Sequence, residues 1–329
     1  AQILERDGDV EEIKLLVDDA MKAGTERNLG HDYLEDFEER YSETARITTP
    51  TPWDIINELM QGGLGQGELG VVVAPAGIGK SWVLSAMGAY AISQGKNVVH
   101  YTLELNESYV GLRYDSIFSG VEGQNLMYHK DEVLEKVEQI KGDLTIKYYP
   151  TRSCTVNTLS AHIKKATSFG AEVDMILVDY ADIMRDVSKS TEMRHQLGNI
   201  YEDLRGLAGE MQIPIWTASQ ANRSALDEDV IDASKVAESY AKVMTADFVI
   251  SVSRKIEDKI ANTGRFHVIK NRFGPDGLTY PAKINTNIGK IELFESTSTQ
   301  GKDVQNKIRN RDNQTKQMLS ARYEDLMSD

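Results

Sequence analysis

The stretch VVVAPAGIGKS, residues 71–81, joins an apolar run to small residues that are followed by a lysine and a hydroxyl. A buried strand that ends in small residues lets the backbone curve around an oxyanion, with successive amide groups pointing inward. The helix that follows presents its positive N-terminus to the same anion. The lysine can then reach the outer phosphates of a nucleotide and the hydroxyl can ligate Mg²⁺, as in the pattern G-x-x-x-x-G-K-[ST]. We therefore predict a phosphate-binding loop here.

This loop departs from the pattern at one position, because Ala74 stands where the pattern has its first glycine. An alanine is tolerated there if the backbone has a negative φ. A plainer interpretation is an ordinary turn between a strand and a helix, with a surface lysine. The nucleotide interpretation predicts seven contacts, with Ser81 also a metal ligand: Ala76, Gly77, Ile78, Gly79, Lys80, Ser81 and Trp82.

Apolar strands and helices alternate after the loop, which predicts an α/β fold with a mostly parallel sheet covered by helices on both faces. The predicted strands are residues 70–74, 97–103, 144–149, 174–180 and 213–219. The predicted helices are residues 80–94, 107–119, 130–140, 155–169 and 191–212. Short turns then separate further strands, so we predict an antiparallel end to the sheet, made of residues 246–254, 265–271, 278–286 and 290–295.

The pattern predicts three parts: linker helices over residues 1–45, a central domain over 46–296 and a polar tail with a short helix over 297–329. The linker helices, expected over 10–23 and 32–42, each carry one apolar stripe. Neither helix can bury its stripe alone. We expect docking on another surface, either of a neighbouring subunit or of the same chain.

Bulk composition allows one large core and sets few limits on function. The chain has 329 residues, 40% of them hydrophobic, and a formal charge of −14. Residues 1–43 hold 14 acidic and 5 basic side chains, a net of −9, which leaves −5 for the other 286 residues. The body is therefore compatible with local basic sites for nucleic acid. A single cysteine, Cys154, excludes an intrachain disulfide, and no apolar run is long enough to span a membrane, so we expect a cytosolic protein.

Three polar residues end predicted strands, where open α/β sheets bind ligands. Asp179 ends the run MILVD and is predicted to hold the metal of a Mg²⁺–nucleotide. Glu104 is predicted to activate water if its strand lies beside the loop strand, because Tyr180, next to Asp179, cannot easily do so. Gln220 is predicted to bind the terminal phosphate and to respond to its loss. A turn aspartate, a helix-starting glutamate and a capping amide are the local alternatives.

Two cations, Lys270 and Arg272, lie two residues apart in FHVIKNRFGP. On a strand they would share a face and could bind an anion, such as the terminal phosphate of a neighbouring subunit's nucleotide. Their spacing alone favours a solvated basic edge.

Five ordered motifs, APAGIGKS, TLEL, ILVDY, TASQANR and VIKNRFGP, together resemble the motor domain of replicative hexameric helicases of the DnaB type. The segments GHDYLEDFEER, IKYYPT and AESYAKVMTADF are most similar to the T-even phage branch of that family. The resemblance spans residues 28 to 296. It implies a RecA-like P-loop ATPase that uses ATP and Mg²⁺, forms a hexameric ring around single-stranded DNA, moves 5′ to 3′ and unwinds duplex at the replication fork.

The resemblance also implies roles for single residues. Lys80 and Ser81 would hold phosphate and Mg²⁺, Asp179 the metal through water, and Glu104 the attacking water. Gln220 would sense the phosphate. The remaining catalytic residues, which would act on the adjacent subunit's nucleotide, are Lys270 and Arg272.

A DNA-gripping loop of the family matches VAESYA, which would bring Glu238, Ser239 and Tyr240 to the DNA backbone. Ala237 replaces the arginine found in family variants, so the phosphate contacts there would rest on backbone amides. A second basic loop, residues 184–195, offers Arg185, Lys189 and Arg194 for backbone tracking, and an ordinary solvated loop is its alternative.

The family normally has a separate N-terminal collar domain, which this sequence lacks, so we expect the chain to be the motor half of a longer protein. Residues 1–27 are then expected to be the linker helix that docks on the next subunit. Primase and a helicase loader are the implied partners, in a phage or bacterial replisome in the host cytoplasm. Two alternatives share the same core: a RecA-family recombinase or clock-type ATPase that does not unwind DNA, and a nucleotide-gated replisome scaffold.

Overall fold

The computed structural model describes residues 30, 32–42, 46–188, 190–236 and 241–309. The chain divides into two compact units, residues 1–46 and residues 47–329. The helix predicted over 10–23 lies outside the described residues. The helix predicted over 32–42 is shorter, α1 (Phe37–Ser42), because the Asp32 carboxylate accepts hydrogen bonds from the amides of Leu34 and Glu35 and holds a turn ahead of it.

Among the described residues, nine strands of the larger unit form one sheet. A separate antiparallel pair consists of β1 (Thr48–Thr49) and β2 (Leu64–Gly65). The sheet strands are β3 (Leu69–Ala74), β4 (Val98–Thr102), β5 (Leu144–Tyr148), β6 (Met175–Asp179), β7 (Ile215–Gln220), β8 (Phe248–Ser253), β9 (Thr263–Asn271), β10 (Thr279–Asn285) and β11 (Lys290–Leu293). Their order across the sheet is β11-β10-β9-β8-β3-β7-β6-β4-β5.

The strands from β5 to β8 in this order are parallel, and β8 to β11 pair antiparallel. The predicted α/β architecture with an antiparallel end is confirmed. One detail differs: β8, which the sequence groups with the strands of the antiparallel end, pairs parallel with β3. The connection between β7 and β8 returns the chain to the end of the sheet at which β3 begins, so β8 runs in the same direction as β3.

Helices cover the sheet on both faces. Their bounds are α2 (Asp54–Leu59), α3 (Lys80–Ser93), α4 (Glu107–Ser119), α5 (Lys130–Val137), α6 (Val156–Ser168), α7 (Met193–Met211), α8 (Ala241–Thr245), α9 (Ile256–Ala261) and α10 (299–309). Side chains that bind free backbone amides fix two of the helix starts. Asn106 accepts from the amide of Tyr109, and Thr155 forms a capping box with Thr158.

The tail predicted from residue 297 is packed over its first part. Its helix, α10, buries Val304 and Ile308, so these two apolar residues join the folded unit. Their spacing of four residues is the helical period, which the polar composition around them obscures. Residues 310–329 lie outside the described residues.

The central strand β3 is buried along all six residues, and its two faces contribute to two apolar layers. Val72 lies in the layer with Trp216 and Phe248, and Val71 lies in the layer with Tyr201. Gly70 leaves room for the Trp216 ring, because a Cβ at residue 70 would come within 2.6 Å of Trp216 Cδ2. The sheet centre is therefore closely packed directly before the phosphate loop.

We expect Gly70→Ala to lower the free energy of unfolding by about 1–3 kcal/mol, because the added methyl group overlaps the buried indole. The matched control is Gly206→Ala, in the exposed middle of α7 with no heavy atom within 4 Å of the added Cβ. The control should leave stability unchanged or raise it by about 1 kcal/mol. Urea denaturation of both variants checks this, and equal stability of the two would contradict the packing described.

Candidate nucleotide-binding site

The phosphate loop leaves the sheet at the end of β3 and enters α3 at Lys80. Gly77 and Gly79 have φ values of 71° and 118°, a backbone region that glycine occupies at little cost and other residues avoid. Ala74 is still part of β3, so its Cβ is accommodated and the departure from the usual glycine has no structural cost. The Ile78 side chain is buried in the core, which anchors the loop and leaves only the Ile78 backbone for a ligand.

A cleft of about 320 Å³ opens above the loop. It brings together predicted residues from three separate segments, the loop, Glu104 and Gln220, and further residues follow β4 and β6 or come from α4 and the turn after β10. The lining residues are Ala76, Gly77, Gly79, Lys80, Ser81, Trp82, Glu104, Leu105, Arg113, Tyr180, Gln220 and Thr286.

Lys80 lies inside the cleft, folded back on the loop. Its Nζ atom donates hydrogen bonds to the carbonyl oxygens of Ala74, at 3.0 Å, and Pro75, at 3.2 Å. Burial lowers the pKa of Lys80, and the nearby carboxylates, first Asp179, oppose that shift. An ammonium group in this position is available to an anion that competes with the two carbonyls.

Asp179 ends β6 and is 4% exposed, beside the loop. The Ser81 hydroxyl lies near its carboxylate, whose Oδ1 atom has no hydrogen-bond partner among the described residues. Burial raises the pKa of Asp179 above its ordinary value, and the nearby Ser81 hydroxyl and the charge of Arg113 work against that rise. An unsatisfied carboxylate oxygen next to a hydroxyl is the donor set that Mg²⁺ prefers, so these residues fit the predicted metal.

Glu104 also lines the cleft, although the condition attached to its prediction is wrong. Its strand, β4, is separated from β3 by β6 and β7. The chain continues past the end of β4, where the Leu103 amide donates to the Asp179 carbonyl at 2.9 Å, and this carries Glu104 to the cleft. The Glu104 side chain is exposed to solvent.

Arg113, on α4, is a cleft residue that was not predicted from the sequence. Its guanidinium lies 5.3 Å from the Trp82 ring centroid, a cation–π distance, and its Nη1 atom is buried without a hydrogen-bond partner among the described residues. Burial lowers the pKa of Arg113, while Asp179 and Glu104 favour its charged form. The available signal was helical spacing, because Arg113 shares the core-facing stripe of α4 with Val110 and Tyr114.

Thr286 was also not predicted. It belongs to the turn between β10 and β11, whose Gly289 passes close to the Trp82 ring. No local pattern indicates that a turn at the far end of the sheet returns to the loop, so the sequence offers no signal for it.

Lys270 and Arg272 are not among the residues that line this cleft. Lys270 Nζ donates to the carbonyl oxygens of Val243, at 3.1 Å, and Met244. Arg272 lies just beyond β9 and pairs with the buried Asp247 at 2.7 Å, with its own side chain 65% exposed. Asp247 also pairs with Arg205 of α7 and accepts from the Leu69 amide at the start of β3.

The predicted DNA contacts are only partly described. Arg194 is exposed and its Nε atom lies 3.0 Å from Glu192 Oε2, and the exposed Arg185 donates its backbone amide to the Cys154 carbonyl. Neither residue reaches the cleft. Four of the predicted contacts lie outside the described residues: Lys189, Glu238, Ser239 and Tyr240.

Two broader properties of the described part of the chain concern membranes and metals. No helix there combines the length and apolar content that a bilayer span requires. No cluster of three or more histidine, cysteine or acidic side chains suited to a metal occurs there either. The metal-binding capacity of the cleft therefore rests on Asp179, Ser81 and the oxygens of a bound ligand.

Comparison with known proteins gives one consistent family. Residues 50–290 match the model of the DnaB-like helicase C terminal domain. A DnaB-like replicative helicase of Enterobacteria phage T4 is 29% identical over 288 residues, which cover 81% of this chain and 59% of the relative. The replicative DNA helicase DnaB of Helicobacter pylori strain 26695 is 26% identical over 173 residues, 51% of this chain and 35% of the relative.

The fold is also found among solved structures. A DnaB-like replicative helicase whose structure was solved with its interactions with primase superposes with a TM-score of 0.69. The identity is 16%, and the match covers 87% of this chain and 73% of the other. At that identity the likeness concerns the fold.

We expect Lys80→Ala to weaken binding of a non-hydrolysable nucleoside triphosphate with Mg²⁺ by about 10-fold to 100-fold, because charge-assisted hydrogen bonds of about 1.5–3 kcal/mol are lost. Lys96→Ala is the matched control: Lys96 pairs with Asp174 ahead of β4, at the end of the strands away from the cleft. Isothermal titration calorimetry on both variants measures the two affinities. Equal affinities would place the triphosphate somewhere else.

Proposed function

Because the chain belongs to the family of DnaB-like helicase C-terminal domains, we propose that it is the ATP-driven motor of a replicative DNA helicase. The chain spans 59% of the length of its T4 relative, so the activity of the whole protein belongs to the proposal. One observation carries it: the phosphate loop, Glu104 and Gln220 line one cleft with Asp179 beside it, while Lys270 and Arg272 lie elsewhere. This separation supports a site that is shared between two subunits.

The loop residues would bind the triphosphate of ATP. The loop amides and the N-terminus of α3 supply donors for the phosphate oxygens, and Lys80 supplies a charge. Ser81 and Asp179 would hold Mg²⁺, which when bound neutralises charge that develops on the phosphates. Trp82, Arg113 and Thr286 complete the walls of the cleft.

Glu104 is the group we assign to water activation. Its carboxylate lines the cleft and is exposed to solvent, so a water molecule can reach it. Tyr180 lines the same cleft but burial raises the pKa of its phenol, which makes it a poor base. Gln220, at the end of β7, would bond the terminal phosphate and register its loss.

Lys270 and Arg272 would act on the nucleotide of an adjacent subunit in a hexameric ring. The exposure of Arg272, together with its position outside the cleft of its own chain, supports action in trans. Its ion pair with Asp247 would hold the guanidinium in place until it meets a phosphate. Residues 1–45 would be the linker that connects subunits, residues 46–296 the motor, and residues 297–329 a tail.

The polymer substrate would be single-stranded DNA in the centre of the ring. Arg185, Lys189 and Arg194 would track its backbone, and Glu238, Ser239 and Tyr240 would grip it through neighbouring amides. We propose translocation 5′ to 3′ and contacts with primase and a loader. The structural relative solved with primase interactions supports the first of these partners. The site of action would be a replisome in the cytoplasm.

The direct test measures ATP hydrolysis with and without single-stranded DNA, and the unwinding of forks with a 5′ or a 3′ single-stranded arm for loading. We expect DNA to stimulate hydrolysis and only forks with a 5′ arm to be unwound. A hydrolysis rate that is the same with and without DNA would favour an ATPase of another kind. Nucleotide binding without any turnover would favour a scaffold.

Glu104→Gln should leave ATP affinity within about twofold of wild type and reduce kcat by about 100-fold or more, since the general base is lost but no contact to the phosphates is. Glu107→Gln is the control: Glu107 lies three residues further on, accepts from the Tyr148 amide and does not line the cleft. Steady-state ATPase assays and calorimetry provide the two values. A Glu104→Gln variant with wild-type turnover would exclude this residue as the base.

Mixtures of Arg272→Ala and Lys80→Ala subunits should recover activity that neither variant has alone. An Arg272→Ala subunit keeps its own loop, and a Lys80→Ala neighbour can supply it with an intact arginine. At equal ratio and random assembly about a quarter of the interfaces would be complete. ATPase activity is measured across mixing ratios after subunit exchange. No recovery at any ratio would indicate that Arg272 acts within its own chain.

A further inference from the structure

A lysine is buried behind the cleft, on the short helix α8. The Lys242 side chain is 1% exposed, and its Nζ atom lies 2.8 Å from Asp182 Oδ1 and 3.3 Å from Ser219 Oγ. The ring centroid of Tyr201 is 5.5 Å away. Lysine is seldom buried to this extent, and taking both charges out of water carries a large desolvation cost. A pair of apolar residues of similar volume would stabilise the fold at least as well, so stability alone does not explain the pair.

Asp182 connects this lysine to the strand that ends in Gln220. Its Oδ2 atom accepts from the Gln220 amide at 2.8 Å, and its Oδ1 atom accepts from the Tyr201 hydroxyl at 2.7 Å. The Ser219 hydroxyl lies 3.3 Å from Oδ2. The carboxylate therefore bonds the backbone of Gln220 directly, and its contact with Lys242 holds that carboxylate in place.

Gln220 is the residue whose position matters for the nucleotide. It pairs in register with Ala74, the first residue of the phosphate loop pattern, and its side chain lines the cleft. A small change in the backbone direction at Gln220 would move its amide group relative to the terminal phosphate. Reactions that depend on such contacts are sensitive to displacements of about 1 Å.

We propose that Lys242 is a positioning residue for the proposed ATPase: with Asp182 it fixes the backbone of Gln220, so that the Gln220 side chain distinguishes a triphosphate from a diphosphate. This inference rests on the proposed function, in which Gln220 senses the terminal phosphate. Lys242 does not touch the nucleotide, since its charge is enclosed by Asp182, Ser219 and Tyr201.

The test exchanges both members of the pair, Lys242→Met with Asp182→Asn, so that no charge is left buried alone. Calorimetry measures the Kd of ADP and of a non-hydrolysable ATP analogue, both with Mg²⁺, and ATPase assays measure kcat. We expect ADP affinity to stay within about twofold, while kcat and the ratio of the two affinities each fall by about tenfold, the usual size of a coupling between sites.

A matched control separates positioning from stability. Arg265→Met with Asp258→Asn removes another largely buried ion pair, in which Arg265 Nη1 lies 3.0 Å from Asp258 Oδ2 and the two side chains are 12% and 4% exposed. Neither residue lines the cleft. We expect a comparable shift of the urea midpoint in both double variants, and unchanged kcat and affinity ratio in the control.

The decisive measurement repeats the exchange in a Gln220→Ala background. If the pair acts through Gln220, exchanging it there produces no further fall in the affinity ratio. A further tenfold fall, or an unchanged ratio and kcat in the wild-type background, would overturn the proposal. A wild-type chain that binds triphosphate but never hydrolyses it would contradict the proposed function instead, and the affinity ratio would still decide the role of Lys242.

A second variant protects the test against a folding failure. Asp182→Glu keeps both charges but moves the carboxylate by one methylene relative to the Gln220 amide. We expect it to lower the affinity ratio in the same direction, with ADP affinity unchanged. A wild-type ratio in this variant would contradict the proposal.

Discussion

The phosphate loop has to begin at a fixed point, and β3 provides it. This strand is buried along its whole length between β7 and β8, and Ile78 anchors the loop in the core beneath the cleft. A loop held at both ends in this way keeps its amides oriented before any ligand arrives, which is what binding a phosphate chain with fixed donors requires. The other groups of the cleft come from five further segments, at the ends of β4, β6 and β7, on α4 and in the turn after β10, and their positions follow from where those segments meet this loop.

Charge balance is the second feature that shapes the cleft. Two cations, Lys80 and Arg113, are partly buried near two carboxylates, Asp179 and Glu104. Burial shifts the pKa of Lys80 and Arg113 down and that of Asp179 up, so the neighbouring opposite charges offset only part of the hydration that burial removes. Bringing a magnesium ion and a polyphosphate into such a set replaces the lost hydration with opposite charges on both sides.

Local patterns in the sequence were enough to predict the framework. Continuous apolar runs identify the strands, and the end of β6 at Asp179 and of β7 at Gln220 follow directly from where those runs stop. Such patterns do not determine the order of the strands across the sheet, and this order decides which strand ends lie together. Glu104 reaches the cleft although β4 is three positions from β3, and the parallel pairing of β8 with β3 depends on a return crossing. Thr286 and the pair of Lys242 with Asp182 depend on contacts between distant elements, so periodicity could not reveal them. For Arg113, helical spacing indicates the core-facing side of α4 but not that this side meets the cleft.

Three residues of the short helix α8 have partners in two directions. In one direction Lys242 contacts Asp182, which binds the end of β7. In the other, the carbonyl oxygens of Val243 and Met244 accept hydrogen bonds from Lys270 on β9. Two residues beyond the helix, Asp247 holds Arg272. A shift of this single turn of helix would therefore displace groups at two separate places, the chain's own cleft through Asp182 and the pair of cations Lys270 and Arg272.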